Sequence, residues 1–233
     1  MRVLELIIHQ PGYAGDHARA LLAAVTNKHA QRLAPAFWHR SSLDGPPLNG
    51  PALVRLVGTP RLIRLLGLGQ AGEALLLDAA PLIMRALASE FGHYPSGEYR
   101  EHHLRCRARR SLVCYQCSSF VFNLKPTQWR GGAILDDREA LMDKIRERLD
   151  SALRQQTAWA GYALDAALSV SDVRLQRVSQ VPISAQRYQP RVAVCFAVAA
   201  DLSGPWQIGA LQSRGHGFVR LLGAADERWQ PAL

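Results

Sequence analysis

The first hundred residues alternate between two hydrophobic periods, and the order of that alternation leaves few folds open. Residues 1–9 (MRVLELIIH) form a short apolar run of strand character, followed by a turn at 10–15 (QPGYAG). Asp16 then stands where it can cap a helix running through HARALLAAVTNKHAQRL, with Ala18, Leu21, Leu22 and Val25 on one face. A Pro-, Gly- and Ser-rich stretch at 41–51 reads as a loop. Two short apolar runs, ALVRLVG and RLIRLLGLG, flank Thr59-Pro60 and allow a β-hairpin. Residues 71–91 return to the helical period, with Pro81 marking a kink or a late start. Residues 98–110 are polar and arginine-rich, and read as a further strand or an exposed hairpin. Strand–helix–strand–strand–helix–strand is the split βαβ, ferredoxin-like order. The RNA-recognition motif shares that topology, but its aromatic sheet-face signature is absent here.

The second half opens with an apolar strand at 111–124 and a loop through Pro126, Gly131 and Gly132. A helix is predicted over 136–160, its acidic first turn matched to the helix dipole and its surface carrying Arg138, Lys144, Arg146, Arg148 and Arg154. Strands are predicted at 167–178, 190–200 and 218–222, the last after a glycine-bearing loop. The pattern allows a degenerate copy of the first half, although no sequence repeat marks it.

Charge narrows the function. Lys and Arg total 28 against 19 Asp and Glu, a net charge of +9, and lysine occurs only at Lys28, Lys125 and Lys144. A GC-rich genome accounts for arginine over lysine but not for the excess over acids. Arginine's planar fork pairs bidentately with phosphate and stacks on bases, which suits nucleic acid. Hydrophobic residues make up 48% of the 233, so a sizeable core can be buried. Residues 1–9 read as a strand rather than a signal peptide, and apolar runs are broken before membrane-spanning length. A soluble, cytoplasmic chain with no membrane partner is therefore expected. Of Cys106, Cys114, Cys117 and Cys195, only Cys114 and Cys117 form a CxxC, and no second pair stands at ligand spacing. Buried, reduced cysteines are expected, with no metal and no cofactor.

The stretch SGPWQIGALQSRGHGFVRLL is the most informative in the chain. Its glycines would let backbone N–H groups approach a phosphate, while Ser213 and Arg214 add a hydroxyl and a cation. Ile208-Gly209, five residues, then Gly215-His216-Gly217 matches the form hGx5GhG, close before a last strand. In this the chain resembles the repeat-RNA-processing endoribonucleases of the RAMP superfamily of CRISPR-associated proteins. The N-terminal strand, the Ala18-Arg19-Ala20 helix and LLGLGQAGEALLLDAAPLI are most similar to the type IV branch. His216 departs from the family pattern, which usually places an apolar or aromatic residue between those glycines.

The resemblance implies an α+β chain of tandem ferredoxin-like, RNA-recognition-motif-like βαββαβ folds, the second degenerate, divided into residues 1–110 and 111–233. It implies a metal-independent endoribonuclease that cuts precursor CRISPR RNA at the repeat stem-loop. The 2′-hydroxyl beside the scissile phosphate attacks it, leaving a 2′,3′-cyclic phosphate and a 5′-hydroxyl. The mature guide RNA then stays bound, and other CRISPR effector subunits become partners. The alternative is a non-catalytic RAMP subunit that binds guide RNA in an effector complex. A small-molecule enzyme or regulator of ferredoxin-like fold ranks below both, since it needs neither the arginine-rich strand nor the C-terminal loop.

Four residues are candidates for catalysis. Arg19 lies in the family-like segment of the first helix, on a different face from His17, with a solvated helix arginine as the competing reading. His39 and Arg40 follow Phe37-Trp38 in a loop, where residues beside aromatics can bind a flipped base and a phosphate. Arg214 lies in the glycine loop. For RNA binding the candidates are Arg100, Arg105, Arg107, Arg109 and Arg110, beside His102 and His103, together with Ser213, Gly215, His216 and Gly217. Alternation at 105, 107 and 109 would line one strand face with positive charge.

Overall fold

Strand β1 (Arg2–Ile8) turns Leu4, Leu6 and Ile8 toward one side, where they pack with apolar side chains of two helices. Those helices are α1 (Asp16–Lys28), which contributes Ala18, Leu22 and Val25, and α2 (Gly69–Phe91). The molecule is described by a computed structural model over residues 1–11, 16–125, 134, 137–162, 168–184 and 187–224. The turn expected over 12–15 and the loop through Pro126, Gly131 and Gly132 lie outside the described residues. So do the helix start expected at Asp136, the strand start expected at Ala167 and the side chain of Asp16.

In α2 the buried residues Gly72, Leu76, Ala79, Ala80, Ile83, Ala86 and Leu87 recur at three- and four-residue steps, the pattern of one helical face. Pro81 does not delay the start of this helix: it sits on the exposed side of a run continuous from Gly69 to Phe91. Its missing N–H leaves the carbonyl of Leu77, an exposed residue four positions back, without its helical donor. Gly92 ends the helix in the left-handed region, donating its N–H to the Ala88 carbonyl. The predicted hairpin forms as β2 (Val54–Gly58) and β3 (Ile63–Leu68). Its turn is closed by the Thr59 hydroxyl, which accepts from the N–H groups of Arg61 and Leu62. With β4 (Gly97–His103) the strands make an antiparallel sheet in the order β2-β3-β1-β4, the ferredoxin-like arrangement.

The polar segment at 98–110 is neither one strand nor a hairpin. After Leu104 the chain begins a second sheet with β5 (Arg105–Val121), which pairs Arg105 with Ser203 and Arg107 with Asp201. The division expected after Arg110 therefore falls inside β5. By compactness, the first unit takes Met1–His103 with Gln212–Gly215, and the second takes Leu104 to Leu211 and the chain from His216. Nothing in the sequence breaks at Leu104, because both flanking stretches are exposed, charged strand.

The second unit repeats the first topology with one part missing. After β5 comes α3 (Arg138–Trp159), then β6 (Ser171–Ser184), β7 (Arg187–Ser203) and β8 (Val219–Ala224). The sheet order β6-β7-β5-β8 reproduces that of the first, counted from β5. Where α2 stands in the first unit, the chain between β7 and β8 instead carries the glycine-rich segment. The result is an α+β molecule of two ferredoxin-like sheets, the second degenerate. Helix α3 is capped by Asp137, whose carboxylate accepts from Ala140 N–H at 3.0 Å, and it buries Leu141, Ile145, Leu149 and Leu153 at four-residue steps. Its cations pair within the helix: Lys144 with Glu147, Arg146 with Asp143, and Arg154 with Asp150.

All four cysteines are buried and unbridged. Cys114 and Cys117 pair in unbroken register with Ala197 and Val194, so the odd spacing sends their thiols to opposite faces of β5. Burial raises the Cys117 thiol to about 12 and the Cys106 thiol to about 11. Among the described residues no helix is long and apolar enough to cross a membrane.

Candidate active site

Helix α1, the 3-10 turn Pro35–Trp38 and the turn Gln212–Arg214 meet within the first unit. Arg19, on the inner edge of α1, is half-buried, and its Nη1 donates to Ser213 Oγ at 3.0 Å. Its Nη2 donates to the Trp38 carbonyl at 3.4 Å, and its guanidinium carbon stands 5.1 Å from the centroid of the Trp38 ring. The side chain is thus fixed at both ends of its fork and against an aromatic plane. Of the two readings of Arg19, a solvated helix arginine is the one the geometry disfavours.

His39 ends the 3-10 turn with φ 58° and ψ 44°. A non-glycine residue in this left-handed region is uncommon, and here the neighbouring backbone holds it. Its N–H donates to the Ala36 carbonyl and its own carbonyl accepts from Leu48 N–H, both at 3.0 Å. Burial pushes the imidazole below its ordinary value near 6.5, and the positive charges of Arg19 and Arg55 push it the same way. Both effects favour the neutral ring. Arg40 donates to the Leu43 carbonyl at 3.5 Å, and its backbone bridges to Pro47. Arg19 and Arg40 both line a cavity of about 280 Å³, together with Arg32, Asn27 and Trp38.

Sequence reasoning missed Arg55, Arg32 and Asn27. Arg55 is 1% exposed on β2, donates from Nε to the Ala52 carbonyl at 3.2 Å, and is lowered by burial to about 9. It was hidden because it lies inside an apolar run, ALVRLVG, that reads as core. Asn27 was in reach: Arg19, Ala23, Thr26 and Asn27 line the cavity at helical spacing from one starting residue. His29 is committed elsewhere, with Lys28, to Glu90, at 3.1 and 2.6 Å.

The glycine loop works differently from the expected phosphate cradle. Gly215 N–H donates to the Gln212 carbonyl and Gly217 N–H to the Ser119 carbonyl, so both donors are engaged by protein. At Gly215 (φ 88°) an added Cβ would stand 2.6 Å from the Leu56 carbonyl oxygen of β2, and at Gly217 (φ 84°) it would meet the Ile208 carbonyl oxygen. Close backbone packing is what demands glycine at these places. His216 is 2% exposed, with Nδ1 2.6 Å from Ser119 Oγ, and so is built into the second unit. Ser213, expected to donate to RNA, accepts from Arg19, which leaves its own proton free to donate. Arg214 follows Ser213 in the same turn.

The remaining basic candidates do not share one setting. Arg100 pairs with Glu98 at 2.6 Å on β4, and His102 with the buried carboxylate of Glu5 at 2.8 Å, where Arg64 also donates. Arg105 and Arg107 flank buried Cys106 on β5 and are exposed, but the strand is exposed on both faces from Arg107 to Leu112, so the alternation does not extend to Arg109. Arg109 is held by Asp201 at 2.8 Å, the residue opposite Arg107, and Arg110 follows where the β5–β7 register shifts.

The family model for the type IV CRISPR-associated endonuclease Csf5 matches residues 1–224. The chain belongs to the Csf5 family. Among solved structures, a Csf5 described as a CRISPR-Cas type IV Cas6 crRNA endonuclease is 18% identical, with a TM-score of 0.69 over 94% of this chain and 98% of that one. A CRISPR RNA processing endoribonuclease Cas6b is 15% identical, with a TM-score of 0.59 over 95% of this chain and 100% of that one. At such identities these two establish the shared fold. No curated protein matches the chain by sequence. For this Csf5-family chain, the surroundings of Arg19 are where a cavity and a fixed positive charge coincide in one unit.

Proposed function

We propose that this Csf5-family chain is the endoribonuclease that cuts precursor CRISPR RNA at its repeat stem-loop, without a metal ion. The scissile phosphate lies between Arg19 and Arg40, and neutral His39 takes the proton of the neighbouring 2′-hydroxyl. The freed O2′ attacks phosphorus in line, and the bond from phosphorus to O5′ breaks. O5′ takes a proton from solvent, which leaves a 2′,3′-cyclic phosphate and a 5′-hydroxyl. Arg19 and Arg40 carry the charge that builds on the phosphorane, with Arg214 adding a further cation beside Ser213.

The observation that carries this reading is the fixed geometry of Arg19, held by Ser213 Oγ at 3.0 Å and by the Trp38 carbonyl, beside a histidine biased to its neutral form. A preorganised cation costs no reorganisation when charge develops, and a neutral imidazole is the form that accepts a proton. The donor set also supports metal independence. The described residues lining the cavity offer three guanidiniums and no carboxylate, whereas hard divalent cations take oxygen ligands.

Exposed Arg105, Arg107 and Arg110, which form no salt bridge among the described residues, support retention of the product. A stem-loop held through many phosphate contacts leaves slowly, and the bound guide RNA would then carry the chain into a complex with other CRISPR effector subunits. The test is labelled repeat RNA incubated in EDTA, beside RNA with a 2′-deoxy substitution at the cut. A single cut that survives EDTA and vanishes with the deoxy RNA is the expected result. Tight binding with no cut would instead make the chain a guide-RNA scaffold.

A further inference from the structure

The cavity beside Arg19 has features that holding a phosphate does not require. At about 280 Å³ it lies near the lower end of the range for small-ligand clefts, roughly 300–1,000 Å³. Leu33, Trp38 and Leu43 give it flat and apolar wall, while Asn27 and Arg32 stand on its polar side. Neither the Asn27 amide nor the Arg32 guanidinium has a hydrogen-bond or ion-pair partner among the described residues. Thr26 does not compete for a ligand, because its hydroxyl donates back to the Leu22 carbonyl at 2.7 Å.

Resting on the RNA-cutting reading of this site, we propose that the cavity receives one unpaired guanine adjoining the scissile phosphate, and that Arg32 and Asn27 read its edge. A nucleobase is the flat, partly apolar group that follows directly from a phosphate held at Arg19 and Arg40, and an aromatic wall such as Trp38 favours stacking. Cavity donors outnumber acceptors: Arg32 presents only N–H groups, the Trp38 indole adds one more, and Asn27 supplies one of each kind. Guanine offers O6 and N7 to a guanidinium fork as paired acceptors. Adenine would set its N6 amino group against the same fork. Unpairing is required because the edge and face are reached only outside a duplex stack.

The experiment uses the full chain and repeat RNA carrying guanine, adenine or an abasic site at each nucleotide flanking the cut. Binding is measured on RNA with the 2′-deoxy substitution, and single-turnover cleavage on the all-ribose RNA, for wild type, Arg32→Gln and Asn27→Ala. At one flanking position wild type should bind guanine RNA about tenfold more tightly than adenine or abasic RNA, in line with the discrimination of a good bidentate pair. Arg32→Gln should erase that preference, while abasic RNA binds wild type and variant alike. Both residues are exposed, so the variants keep the fold. Indifference to the base at every position, a preference for adenine, or a guanine preference that survives in both variants overturns the inference. Because the preference is read in binding to RNA that cannot be cut, a failure to cleave bears on the proposed activity alone.

Discussion

Arg19 in the first unit and Arg105 with Arg107 in the second are the same residue type put to opposite physical uses. Arg19 is half-buried, hydrogen-bonded at both ends of its fork and stacked on Trp38. Arg105 and Arg107 stand exposed on β5, with no salt bridge among the described residues. A guanidinium already fixed before the substrate arrives can favour charge that appears only in the transition state. A solvated guanidinium is screened by salt and binds ground state and transition state alike, so it contributes affinity. The difference teaches that charge count identifies the ligand class, whereas restraint identifies the chemistry.

The sharpest way to break this comparison is to remove each kind of arginine and measure rate and affinity separately. Arg19→Ala should lower the single-turnover cleavage rate by roughly 10²–10³-fold, the usual loss for one preorganised donor, with little change in Kd. Arg19→Lys should recover only part of the loss, since an ammonium cannot span Ser213 and the Trp38 carbonyl together. An equal fall in affinity and rate would place Arg19 in the same class as the β5 arginines.

His39 sharpens the same point through pH. Burial and the charges of Arg19 and Arg55 hold its imidazole below the ordinary 6.5. The reactive form is the neutral one, so the cleavage rate should rise with pH along an acid limb centred below 6.5 and then level off. His39→Gln should remove that limb. Arg19→Gln should move it upward, because one of the two charges that lower the imidazole is gone. A limb that stays in place in Arg19→Gln would show that the two groups do not sense each other.

For the exposed set the expected effect lies in salt dependence. Replacing Arg105 and Arg107 together by Ala should flatten the slope of log affinity against log salt by about 0.7 for each single-strand phosphate that these side chains neutralise. The cleavage rate of bound RNA should not change. Unaltered slope would remove β5 from the binding surface.

Much of the fold was legible in the sequence, and the failures have physical causes. Hydrophobic period and order point to β1, the β2–β3 hairpin, α2 and the ferredoxin-like arrangement, because each of those elements buries one clear face. The passage from β4 to β5 was not legible: His103, Leu104 and Arg105 carry no turn residue, and only pairing with Ser203 shows that the sheet has changed. Arg19 and the His39-Arg40 pair come from two separate segments of the sequence and lie in one unit, with Arg19 and Arg40 on one cavity. The glycines of the C-terminal loop stand out in the sequence, but their neighbour there is protein. A positive φ and a close approach look the same in sequence whether that neighbour is a phosphate or the Leu56 carbonyl. Arg55 could not be found, since a cation buried in an apolar strand leaves no periodic signal.

Arg109 supplies the smallest and most discriminating test, because it is neither fixed for chemistry nor free for binding. Like Arg107 it is exposed on β5, yet Asp201 holds it at 2.8 Å and raises its already high pKa through that hydrogen bond and charge. An arginine that must leave a carboxylate to meet a phosphate gains less from the exchange than one leaving water. Arg109→Ala should therefore change the salt slope less than Arg107→Ala does. Asp201→Asn should act in the opposite sense, releasing Arg109 and removing a negative charge from the strand. RNA binding should tighten a few-fold at low salt, and the slope should steepen toward one further neutralised phosphate. Titration of repeat RNA at several salt concentrations reads both variants. If Asp201→Asn weakens binding instead, the Arg109–Asp201 pair serves to shape β5, and Arg109 does not belong to the exposed set that binds RNA.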